Sequence, residues 1–179
     1  MINHKYKCIF IHIPRTSGTS LEKSFGYGDA PDKHYNAQDI FNKVGTKVWN
    51  SYFKFTFVRN PWDRVISLYH QPAFNKIGEK SGKSLEYFLE NYSPYSWEHG
   101  ITFCDYLNYG KIDFVGRFES REDDIRFVSK KIGLEITSSY HSRRTKHKHY
   151  TEYYNNGTRA TVAAIYKDDI ELFRYKFGE

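Results

Sequence analysis

Three short β-rich apolar runs, residues 6–13, 53–58 and 112–116, are each followed by a polar turn and then by apolar residues at helical spacing. That alternation restricts the fold more than any other feature of the chain. Near-continuous apolar runs suit strands covered on both faces. The first ends at Pro14; a small polar segment, 15–20, follows, and then Leu21 and Phe25 stand at i and i+4 before Gly26. The second hands over at Pro61, a natural first helical residue, to a stripe of Val65, Ile66, Leu68 and Tyr69. The third precedes an acid-rich stretch, 119–124, and then Ile125, Phe127, Val128 and Ile132. Strands alternating with helices predict an α/β fold, a central parallel sheet flanked by helices. Further helices are expected over 37–44, 84–92 and 158–173, and a basic surface loop over 134–150.

A chain of 179 residues encloses one core but is short for two, so a single domain over 1–179 is expected, with no repeat or change of composition to divide it. No run of eighteen apolar residues exists and residues 1–7 lack the apolar stretch of a secretory leader, so the chain as written reads as cytoplasmic if it is complete. Cys8 sits in the first apolar run and reads as a buried free thiol; pairing it with Cys104 would need the fold to join them. The net charge of +6 suits an anionic partner without choosing among nucleic acid, polysaccharide and phosphorylated nucleotide. Asn156-Gly157-Thr158 matches a glycosylation sequon and is read as idle.

The turn Arg15-Thr16-Ser17-Gly18-Thr19-Ser20 lies where a strand becomes a helix. The first N–H groups of a helix have no internal partner and the macrodipole adds positive potential, so such a turn favours an anion. Gly18 would admit close backbone approach, the hydroxyls would donate hydrogen bonds, and Arg15 would grip two oxygens. Alone, the same residues would equally make a Ser/Thr-rich helix cap. GxxxxGK[ST] is absent, which weighs against an ATPase or GTPase. Arg59, at the carboxyl end of the second strand, and Ser67, eight residues on and about two helical turns away, could together hold a second anionic group, though singly they read as a surface cation and a helix-face hydroxyl.

Together, the 14–20 turn and the Arg59-Asn60-Pro61 segment with Ser67 resemble the sulfotransferase superfamily, particularly its carbohydrate branch. The pairing is specific where neither half is. Val115-Gly116-Arg117-Phe118-Glu119 is similar to the family segment beside adenine, and 167–173 continues the similarity. The resemblance implies a P-loop-kinase-like sulfotransferase fold and transfer of a sulfuryl group from 3'-phosphoadenosine 5'-phosphosulfate (PAPS) to a hydroxyl, with 3',5'-ADP as the product released. It implies that 15–20 holds the 5' side, that Arg59 and Ser67 hold the 3'-phosphate, and that Phe118 lies at the base. The family usually has Lys at the position of Arg15; Arg15 is read as an electrostatic clamp, since guanidinium does not hand over a proton.

The acceptor's proton needs a base, and imidazole is suited to that. His34, before the expected 37–44 helix, resembles the family's histidine there and is the expected base, with His70 next; His12 is assigned to orienting the loop. The basic stretch 143–148 would touch cofactor or an anionic acceptor, or simply be solvated. The acceptor is expected to be a saccharide, with no metal, no nucleic acid and no transmembrane segment. A nucleotide-kinase-like phosphotransferase and a non-catalytic nucleotide- or nucleic-acid-binding domain are the alternatives.

Overall fold

The computed structural model describes residues 1–16, 18–26, 34–74, 76–91, 102–108, 110–136 and 148–179. The expected α/β architecture is present as a four-stranded, mostly parallel sheet with eight α-helices among the described residues. Internal contacts define two compact units. Met1–Val58 with Phe103–Ser142 is the first, and Arg59–Thr102 with Arg143–Glu179 the second.

The first unit holds the sheet. Strand β2 (Cys8–Ile11) lies parallel to β3 (Phe53–Val58), with Phe10 opposite Phe55, and β3 lies parallel to β4 (Phe114–Arg117), with Phe57 opposite Gly116. A two-residue β1 (Ile2–Asn3), which the apolar pattern does not mark, adds antiparallel to β2. The pleat sends Cys8, Phe10, Phe55 and Phe57 to one face, where Leu21 of α1 (Gly18–Ser24) and Ile125 and Val128 of α6 (Arg121–Ile132) cover them. Phe10 stacks on Phe55 at 5.0 Å, and Phe57 meets both rings edge-on. Gly116 is required there, because a Cβ would lie 2.6 Å from the Phe57 ring. Burial raises the Cys8 thiol to about 11, the free buried thiol expected; Cys104 is free too.

Helix α2 (Ala37–Ser51) starts where expected, capped by Asn36, and continues beyond residue 44 across a kink at Gly45, whose φ of 72° glycine accommodates. At the start of β3, the buried Lys54 donates from Nζ to the Trp49 and Tyr52 carbonyls and pairs with Asp113 at 2.8 Å.

In the second unit, α3 (Pro61–Tyr69) is packed against α7 (Asn156–Ile165), and α7 against α4 (Leu85–Asn91) and α8 (Lys167–Phe173). The single helix expected over 158–173 is two, broken at Tyr166, where the chain leaves helical geometry before resuming. A four-residue helix, α5 (Phe103–Tyr106), belongs to the first unit. The sequon opens α7: its Thr158 is buried and forms a capping box with Asn155, the residue before the sequon, each side chain bonding the other's backbone N–H. Most of the expected 134–150 loop lies outside the described residues.

Burial alone would raise the Asp113 carboxyl, but side-chain and backbone hydrogen bonds from Lys54, with the charges of Lys54 and Lys111, outweigh it and lower the group below its usual range. A lowered folded value means that the pair's contribution is complete above the unfolded value of about 4 and is lost as pH falls through the folded one. Asp113→Asn should therefore melt lower than wild type near neutrality and lose less on acidification below about pH 4. Melting curves over a pH series test this, and parallel curves would contradict it.

Candidate functional site

The turn after β2 is held together by its own side chains. Thr16 is fully buried and its hydroxyl donates to the Ile13 carbonyl at 2.7 Å, so this hydroxyl closes the turn. Arg15 is half-buried and its φ is 69°, a left-handed conformation costly for a residue with a Cβ. Strain of this kind persists where the surroundings impose it. Ser17 lies outside the described residues, and Thr19 and Ser20 are described only as backbone in α1.

Gly18 opens α1 for a reason different from close approach to an anion: a Cβ here would overlap the ring of His12. His12, just past β2, is buried at 5% exposure; its Nδ1 is 2.7 Å from Oε1 of Glu22, itself 7% exposed on α1. His34 completes the cluster, its ring centroid 4.6 Å from that of His12 and its Nδ1 3.2 Å from the His12 carbonyl oxygen. The first unit thus brings His12, Gly18, Glu22 and His34 together. Glu22 is the member that sequence reasoning missed; its place one helical turn after Gly18 is the signal that could have found it.

In the second unit, Arg59 follows β3 directly in sequence and is 7% exposed, and its Nε donates to Asp63 at 2.7 Å. Asp63 also went unnoticed, although i, i+4 spacing on a helix is a pairing signal. Ser67 is buried on α3. Asn60 caps that helix by accepting from the Trp62 N–H, and its amide donates to the Lys176 and Glu179 carbonyls and the Tyr150 hydroxyl. The Phe177 ring is packed edge-on by Trp62, Tyr150 and Tyr154, with the Arg159 guanidinium 4.6 Å from its centroid. His70 ends α3, with Nδ1 3.7 Å from Glu79.

Phe118 belongs to the first unit, where its N–H donates to the Val58 carbonyl just past β4. Of the basic stretch 143–148, only Lys148 is described. Among the described residues, no three His, Cys, Asp or Glu side chains gather as a metal site, and no helix is long and apolar enough to cross a membrane.

Parallel strands alternating with helices define an α/β protein, in whose sequence Arg15 follows β2 and Arg59 follows β3. The chain belongs to the sulfotransferase family, whose sequence profile matches residues 1–176. An uncharacterized protein of Archaeoglobus fulgidus is 35% identical over 97 residues, 53% of this chain and 79% of that protein. Carbohydrate sulfotransferase 9 of Homo sapiens is 26% identical over 174 residues, which cover 77% of this chain and 37% of that protein. Carbohydrate sulfotransferase 10 of Xenopus laevis is 24% identical over 186 residues, covering 79% and 51%. The chain thus spans about half or less of the length of these two carbohydrate sulfotransferases. No solved structure matches the chain.

Gly18→Ala should force the His12 ring aside and lower stability by about 1–3 kcal/mol, the usual cost of overpacking. Thermal or denaturant unfolding reads this, and a variant as stable as wild type would show that the ring has room.

Proposed function

We propose that the chain transfers a sulfuryl group from PAPS to a hydroxyl of an acceptor, a saccharide in the first instance. Arg59 is the observation that carries this reading. It is buried beside Asp63, directly follows a parallel strand in sequence, and lies in the stretch of chain that matches a sulfotransferase profile. Asp63 holds Nε and so sets the plane of the guanidinium, whose Nη fork has the geometry for two phosphate oxygens. On this reading Arg59 and Ser67 bind the 3'-phosphate, the 15–20 turn binds the 5'-phosphosulfate, and Phe118 lies beside adenine.

The donor set suits that substrate. The turn offers the Arg15 cation and backbone N–H groups at the start of α1, with Thr16 keeping the turn closed. PAPS supplies an already activated sulfuryl group. His34 takes the acceptor hydroxyl's proton as the new oxygen–sulfur bond forms, and Arg15 stabilises the charge left on the departing 5'-phosphate oxygen as its bond to sulfur breaks. The saccharide acceptor rests on the printed names of the similar carbohydrate sulfotransferases. On this reading residues 1–179 form the domain that holds the donor and performs the transfer.

Calorimetry with 3',5'-ADP and 5'-AMP tests the cofactor. The bisphosphate should bind more tightly, and Arg59→Ala should erase roughly 10- to 100-fold of that preference, the worth of one charge-assisted contact. A preference unchanged in Arg59→Ala would refute the assignment, and a strict Mg²⁺ requirement for turnover would point to phosphoryl transfer instead. His34→Ala should bind nucleotide like wild type while turnover with an established acceptor falls by about 10² to 10⁴. Wild-type turnover in that variant would move the base elsewhere, with His70 next.

A further inference from the structure

His12 and Glu22 are both buried, where an apolar pair of similar size would pack at less cost. Their surroundings indicate a different use. The His12 ring lies against Phe10 on one side, with centroids 5.5 Å apart and planes 18° from parallel, and contacts the His34 ring at 4.6 Å. Gly18 packs close against its edge, and Glu22 sits 2.7 Å from Nδ1. Four neighbours on β2, α1 and the segment before α2 therefore fix one imidazole.

We propose that His12 and Glu22 are positioning residues for His34, and that they hold it in the neutral tautomer protonated on Nδ1, leaving Nε2 as the basic nitrogen. A carbonyl oxygen only accepts, so the 3.2 Å contact between His34 Nδ1 and the His12 carbonyl requires the proton to be on Nδ1. The Glu22 carboxylate lies 2.7 Å from His12 Nδ1 without the alignment of a hydrogen bond, and its negative charge there favours a proton on that nitrogen over a bare lone pair. Glu22 stops the His12 ring from turning, and the ring and carbonyl of that one residue then meet His34 together. When Nε2 takes the acceptor's proton, the Nδ1–H of the imidazolium already has its acceptor, and a carboxylate lies one ring away. The proposal rests on the reading of His34 as the base only for its catalytic consequence; the tautomer is a property of the resting protein.

The test is ¹⁵N NMR of the histidine-labelled 179-residue chain at a pH where His34 is neutral, its resonances assigned by their loss in His34→Gln. Imidazole in water favours a proton on Nε2, so a protonated Nδ1 and a bare Nε2 at His34 would be a signature that simple packing does not produce. In Glu22→Ala the His34 signals should move toward the Nε2–H form, with kcat falling roughly 10- to 100-fold, the cost of a misplaced group, and the nucleotide KM little changed. Glu22→Gln, which keeps an acceptor oxygen for His12, should recover both. An Nε2–H tautomer in wild type overturns the proposal, as does an unaltered His34 tautomer in Glu22→Ala. If Glu22→Ala does not fold, the wild-type spectrum decides alone. If the tautomer is as stated and His34→Ala retains full turnover, it is the base assignment that fails and not the positioning pair.

Discussion

A ladder of aromatic rings joins the core of the sheet to the candidate base. Phe53 stacks on Phe55 at 5.8 Å, Phe55 on Phe10 at 5.0 Å, Phe10 on His12 at 5.5 Å, and His12 meets His34 at 4.6 Å. Phe10, Phe55 and His12 are buried and Phe53 packs against the core, so the ring that His34 meets is itself seated on the sheet. The backbone of β2 and β3 fixes the phenyl rings by parallel register, and the pleat alone decides that the ladder runs along one face. Where β2 stops, His12 keeps the same facing and turns an apolar stack into a polar one.

The second unit solves a similar problem by other means. Arg59 and Asn60 stand at the start of α3, and each is buried and polar. Asp63 meets the first, while the second is bonded to the backbone of residues 176 and 179 and to Tyr150. Three aromatic edges and the Arg159 cation hold Phe177 between those two carbonyls' residues. Asparagine in the Arg-Asn-Pro segment is thus explained by capping and anchoring, and the arginine beside it is paired with Asp63.

The sheet was legible because strand and helix periods differ and the three apolar runs alternate cleanly between them. Tyr166 hid its break because apolar residues recur at helical spacing on both sides of it, and the two-residue β1 has no pattern to display. At the site, the chemistry of the anion-binding residues could be read from type and spacing, but their support could not. Glycine at 18 satisfies a close contact with a ring six residues earlier, and Glu22 is buried against that same ring. Such constraints arise only once β2 and α1 are folded onto each other. Ser17 and the stretch 143–147 lie outside the described residues.

Asn60 also bears on the order in which the protein matures. Its amide waits for the Lys176 carbonyl, 116 residues further along the chain. Closing so distant a contact is slow in folding and has no local substitute. On the ribosome, β2 and β3 can pair and α1 can cover them while residue 176 has yet to be made, since synthesis proceeds at only about 5–20 residues per second. For those seconds Asn60 can already cap α3 through the Trp62 N–H, while its amide has yet to meet the Lys176 and Glu179 carbonyls that tie the start of that helix to the end of the chain.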